Sequence, residues 1–216
     1  MRRCIRAPAA RLAAAAVGGL ALVAPASAGV ISGFTVQTNG NGTTSVFVNT
    51  TAANNDNVTT IGNNNIDVNG KNFTSVGPID IVFDVTATGG TTEYLVAEGV
   101  TNSTGVTWTG YQLQLGFGFG ANFVPSGADG LDFDTPDRDP TPTHTAFSSL
   151  VHLDDLMIFG GGSVPNLQAD AIGLSIDVPD GITQFTLRQV PLAVPEPGGL
   201  ALAGAAALGL LRRRRA

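Results

Sequence analysis

Ile79-Asp-Ile-Val-Phe-Asp-Val-Thr86, a Gly89-Gly90 step, Glu93-Tyr-Leu-Val-Ala-Glu-Gly-Val100, a second step at Asn102-Ser-Thr-Gly105, and Trp108-Thr-Gly-Tyr-Gln-Leu-Gln-Leu115 form the stretch that decides the fold. Side chains of an extended chain alternate, so Ile79, Ile81, Phe83 and Val85 share one face of the first run. Gly89-Gly90 reaches the positive φ that a tight reversal needs, and Asn102-Ser-Thr-Gly105 has the composition of a second turn. The stretch therefore predicts three strands joined as a meander.

The same alternation extends outward in both directions. Phe34-Thr-Val-Gln37 and Ser45-Val-Phe-Val48 flank Asn-Gly pairs after Thr38, which predicts a hairpin. Ile172, Leu174, Ile176 and Val178 alternate up to Pro179-Asp180-Gly181, and Phe185, Leu187 and Gln189 return, which predicts another. No long stretch carries the 3.6-residue period of an amphipathic helix. Roughly eight to ten short strands in one body predict an all-β fold, a single β-sandwich or jelly-roll-like domain. Asn49 to Asn65 is rich in Asn and Thr, with Val58 and Ile61 its only sizeable apolar residues, and reads as a surface loop or an edge strand. Sequon-like spacing at Asn57-Val58-Thr59 is what chance produces in such a composition.

Both ends of the chain have a different character. Arg2, Arg3, Arg6 and Arg11 precede an apolar run, Leu12 to Val23, and Ala26-Ser27-Ala28 has the small-x-small pattern that a signal peptidase accepts. Residues 1–28 thus read as a signal peptide, with cleavage after Ala28 leaving Gly29 first. The body spans 29–193. Residues 194–216 then hold Pro195, Glu196 and Pro197, an apolar run from Gly198 to Leu211, and Arg212, Arg213, Arg214 and Arg215.

This order of parts resembles the PEP-CTERM sorting signal of Gram-negative bacteria. The resemblance implies that residues 198–211 form a helix held in the inner membrane while the arginine tip, 212–215, stays in the cytoplasm. It further implies that an exosortase, a membrane-embedded cysteine transpeptidase, cuts near Pro195-Glu196-Pro197 and releases the body to the cell surface or extracellular matrix, in association with exopolysaccharide. The fourteen-residue run would make a helix of about 21 Å against about 30 Å of hydrocarbon. Snorkelling arginines and local bilayer thinning absorb that mismatch, and the basic tip orients the segment. A buried C-terminal helix is the alternative for a run this short, but it would rarely be apolar on all faces and end in four arginines.

Without these ends the charge balance changes. Gly29 to Pro197 holds three bases (Lys71, Arg138, Arg188) against all seventeen acids, a net charge of −14. Nothing there neutralises phosphates, so nucleic acid is excluded as a partner. The one cysteine, Cys4, lies in the leader, so the body is expected to have neither a disulfide nor thiol chemistry.

One constellation could carry chemistry. Asp129, Asp132, Asp134, Asp137 and Asp139 place five carboxylates in eleven residues, and Gly130, Pro136, Pro140 and Pro142 force a loop. Hard cations such as Ca²⁺ take oxygen ligands of this kind, although the spacing is not that of an EF-hand. A solvated acidic loop is the other reading. No catalytic arrangement emerges. His144 and His152 are the only histidines, and the nearness in sequence of Ser148, Ser149 and Asp154 does not make a triad. Glu93 and Glu98 are separated by an odd number and point to opposite strand faces. Gly116-Phe-Gly-Phe-Gly120 lacks the lysine of a phosphate loop, and its phenylalanines read as one face of a strand packed close to a neighbour. Trp108, Tyr94 and Tyr111 could stack on a sugar or pack in the core. The expected function is that of an exported, non-enzymatic surface or matrix protein, the alternative being a carbohydrate- or calcium-dependent binding module.

Overall fold

The computed structural model describes residues 29–55, 64–136, 138 and 140–193. The predicted signal peptide and the sorting segment, with its predicted helix at 198–211, lie outside these. Twelve strands follow one another along the described residues: β1 Gly29–Gln37, β2 Gly42–Thr50, β3 Asn64–Phe73, β4 Ile79–Ala87, β5 Thr91–Asn102, β6 Trp108–Phe117, β7 Val124–Pro125, β8 Thr143–His144, β9 Ser149–His152, β10 Leu156–Gly160, β11 Ala169–Pro179 and β12 Gln184–Ala193. A single 3₁₀ turn, Gly120–Asn122, is the only helical element among them. No helix of the described residues is long and apolar enough to cross a membrane.

The strands form two sheets in a β-sandwich-like, all-β arrangement. A seven-stranded sheet runs β1-β4-β12-β6-β10-β9, with β7 also paired to β6, and a five-stranded sheet runs β2-β3-β5-β11-β8. Pairing is antiparallel except between β3 and β5. Ile79, Ile81, Phe83 and Val85 of β4 face Tyr94, Val96 and Val100 of β5 and Ile172, Leu174, Ile176 and Val178 of β11 within one apolar core. Phe83 sits directly opposite Phe185 of β12, with the rings stacked 4.9 Å apart.

The strands and their buried faces agree with the sequence pattern, but the predicted pairings do not. β4, β5 and β6 are not a meander: β5 belongs to the other sheet, and the Gly89-Gly90 and Asn102–Gly105 turns carry the chain across the core and back. The Asn-Gly turn likewise joins β1 of one sheet to β2 of the other, and Pro179-Asp180-Gly181 joins β11 to β12 across the core. The reason is geometric. Each turn reverses the chain, but two neighbouring strands that both carry an apolar face can lie side by side or face to face, and only the rest of the fold selects between these. The polar 49–65 segment instead contains the connection of a true antiparallel pair, β2 with β3.

Within the predicted acidic loop, Leu131 and Phe133 are both fully buried. They peg the acidic segment to the body, where Asp132 and Asp177 exchange backbone hydrogen bonds. β6 stops at Phe117, and Gly118 turns at φ 72°, so Phe119 is an exposed turn residue and not a strand partner of Phe117. The close approach predicted for the glycines does hold at Gly116, where a Cβ would fall against the Phe123 ring and the Val124 carbonyl.

Candidate functional site

The outer face of the five-stranded sheet carries a groove. One register row crosses it: Phe47 of β2, Asp67 of β3, Ala97 of β5, Gly173 of β11 and Thr143 of β8. Ala97 and Gly173 have almost no side chain, which leaves a trough between Asp67 and the segment arriving at β8. The groove measures about 310 Å³, and Asn65, Asp67, Thr141 and Thr143 set polar atoms around a floor of Leu95 and Ala97. Phe47, at the end of this row, is 60% exposed. An open aromatic face beside carboxylate, amide and hydroxyl groups is the chemistry that receives a sugar ring.

The aromatics singled out from the sequence do not take part. Trp108, Tyr94 and Tyr111 are all fully buried. Trp108 stacks on Tyr111 and meets the edge of Phe73, and its Nε1 donates to Thr104 Oγ1 at 3.1 Å. The Tyr94 hydroxyl accepts from the Ile31 amide. These are core contacts, so the sugar-stacking reading of these three residues is corrected. Phe47 escaped notice because alternation does not say which face of β2 turns outward: Val46 and Val48 pack on the core, and Phe47 lies on the other side.

Next to the groove, Glu93 of β5 and Asp177 of β11 stand directly opposite each other, both buried, and Asp177 is bridged to Asp132 of the acidic segment. Of the five aspartates, Asp129 accepts from Ser126 Oγ at 2.8 Å and the Leu131 amide at 3.1 Å, and Asp132 accepts from the Thr135 amide at 2.8 Å. Asp134 is buried at φ 49°. Asp137 and Asp139 lie outside the described residues. Among the described residues no three His, Cys, Asp or Glu side chains gather as a metal-binding group.

A polar network in the core escaped the sequence reading altogether. The register of β3 shifts between Val68 and Lys71, at Gly70 with φ 59°. This bulge resets the alternation, so Lys71 and Phe73 turn inward. Lys71 Nζ meets Glu98 Oε1 at 3.0 Å, with both side chains fully buried. The Tyr111 hydroxyl donates to Glu98 Oε1 and Gln189 Nε2 donates to Oε2, each at 2.7 Å. Lys71 and Glu98 belong to one sheet, Tyr111 and Gln189 to the other, so the network rivets the two together. Burial lowers the Lys71 pKa from 10.5 to about 8 despite Glu98, and it raises that of Tyr111 well above 10.0, with Glu98 adding to the shift.

The remaining polar residues have structural partners. Arg188 forks onto Asp80 at 2.7 and 2.9 Å, reaches the Gly120 carbonyl and lies 4.0 Å above the Phe123 ring. His152 Nε2 lies 2.6 Å from the Phe133 carbonyl, and Ser148 Oγ donates to the Gly161 carbonyl, so these side chains form no triad. Glu98 faces the core and Glu93 the outer side, as their odd spacing requires.

β12, the strand between β4 and β6, delivers the chain to its last segment, and Ala193 is its final residue. The PEP-CTERM protein-sorting motif matches residues 193–215, beginning where the strand ends. The chain carries a PEP-CTERM sorting motif. That match supports an exported protein processed by an exosortase, and it covers the tail alone. No family matches the body, and no curated protein and no solved structure matches the chain.

Proposed function

We propose that this PEP-CTERM protein is a non-enzymatic cell-surface or extracellular-matrix protein of a Gram-negative bacterium, a β-sandwich released by an exosortase and associated with exopolysaccharide. The observation that carries the proposal is the sorting motif at 193–215, placed directly after the last strand of an acidic body. Export fits a body without cysteine, and a net charge of −14 favours solubility outside the cell. Intact-mass analysis of the protein from its native host tests the reading: the mature chain should begin at Gly29 and end near Pro197. Extracellular protein that retains Arg212 to Arg215 would overturn it.

A second reading is a saccharide-binding module, which the exposed Phe47 beside the Asp67 groove favours. Calcium held by the acidic segment, Asp129 to Asp139, would make that binding calcium-dependent. A glycan array probed with and without Ca²⁺ separates the two readings, and loss of any signal in Phe47→Ala and Asp67→Asn would place binding in the groove.

A further inference from the structure

The two ends of the body differ in charge. Five connections lie at the end where β12 stops: 38–41, 74–78, 103–107, 145–148 and 161–168. None contains a charged residue. They form one surface, since the Thr74 amide bonds the Asn41 carbonyl, the Ser103 amide the Phe73 carbonyl, the Gly105 amide the Asn166 side chain, and Ser148 Oγ the Gly161 carbonyl. Leu167 is 70% exposed there and Val76 48%. The acids closest to this end are withdrawn from it: Asp170 is buried and accepts from Thr145 and the Ala146 amide, and buried Asp80 is clamped by Arg188. The opposite end holds Asp154, Asp155 and Asp180 in its turns, with Asp129 and Asp132 beside them and Gly29 at the start of β1.

The chain leaves from the uncharged end. Pro195 follows Ala193 by two residues and Gly198 by five, spans of at most about 7 and about 18 Å when fully extended. If residues 198–211 are held in a bilayer, the body has no room to stand off from the surface. A body of such negative charge is repelled by anionic lipid unless it presents a face without carboxylates. We propose that the uncharged end is a docking surface for the phospholipid headgroup layer, on which the body sits upright before release, its acidic end and Gly29 pointing into solvent. Leu167 and Val76 supply the apolar contact. This inference rests on the sorting reading above.

The test uses the chain from Gly29 to Ala216, which has no cysteine of its own, with one new cysteine, Leu167→Cys or Asp180→Cys, carrying a nitroxide and reconstituted into vesicles of phosphatidylethanolamine and phosphatidylglycerol. A nickel chelate attached to headgroups should relax the label at 167 and leave the label at 180 unaffected. Equal relaxation at both positions in protein that floats with the vesicles overturns the docking surface and leaves the sorting reading intact. Protein that does not float overturns both. As a second variant, Val76→Glu in the Leu167→Cys chain should lower the docked-to-undocked ratio read from the relaxation at 167 about fivefold, because one charge at an anionic surface is worth about 1 kcal/mol. No weakening would argue that the tether alone holds the body there.

Discussion

Burying Lys71 takes its ammonium out of water, and this pulls its pKa from 10.5 to about 8 while Glu98 pulls the other way. Above pH 8 the folded state therefore sheds a proton that the unfolded chain keeps until about 10.5, and stability should rise with pH across that window. The tyrosines act with the opposite sign. Burial raises the pKa of Tyr111 and Tyr94 above 10.0, so beyond that pH the unfolded chain loses protons that the folded state retains, and stability should fall. Urea unfolding at constant ionic strength should show a maximum near pH 10, with a rising limb no steeper than about 1.4 kcal/mol per pH unit. Lys71→Met should lack that limb. The same substitution strands a buried carboxylate and should cost about 3 to 5 kcal/mol at pH 7. Lys71→Met with Glu98→Gln keeps an oxygen for Tyr111 and removes the charge, so it should be more stable than Lys71→Met alone. Nothing in the run Val68-Asn-Gly-Lys-Asn-Phe73 announces this network, because an inward lysine requires the bulge at Gly70 and a partner from another strand.

Strands and turns were legible because they are written locally. Phe83 illustrates how far that reaches: its alternation with Ile81 and Val85 marks a buried face, and its ring stacks on Phe185. Phe83→Ala should cost about 3 to 5 kcal/mol in chemical unfolding. The acidic segment was legible only in part. Its charge is plain in the sequence, but the Leu131 and Phe133 pegs are visible only as a two-residue alternation too short to trust. If the segment holds Ca²⁺, the ion relieves carboxylate repulsion and mass action should raise the melting temperature at about 10⁻⁴ to 10⁻³ M Ca²⁺. Asp132→Asn with Asp134→Asn should abolish that rise and leave stability without calcium level or higher. Absence of a rise in the unaltered protein would mean that the aspartates serve the loop's own turns.

For the molecule as a whole, the acids gathered away from the exit of the chain repel one another more than their number alone implies. Arg138 is the exposed base of the body's three, Lys71 being buried and Arg188 bound to Asp80. Screening should therefore matter. Raising monovalent salt from about 0.01 to about 0.15 M shortens the Debye length from about 30 to about 8 Å and should raise the melting temperature by a few degrees. Asp154→Asn with Asp155→Asn should reduce that salt response, which differential scanning calorimetry would measure. A melting temperature indifferent to salt would show that the surface acids are too far apart to couple.

The sequence by itself determined the β character of the body, the shared faces of Ile79 to Val85 and of Ile172 to Val178, the acidity of Gly29 to Pro197 and the sorting motif. Each of these is written in contiguous residues: an alternation, a composition, or a short ordered block. Only the tertiary structure decided that the turns at Asn39-Gly40, Gly89-Gly90 and Gly181 cross between sheets, that Trp108 and Tyr111 are core while Phe47 is surface, and that the uncharged turns gather at one end with Asp154, Asp155 and Asp180 in turns at the other. The physical reason is common to all three. Pairing, burial and charge separation depend on which residues from distant parts of the chain meet, and strand alternation carries no information about the identity of a neighbour.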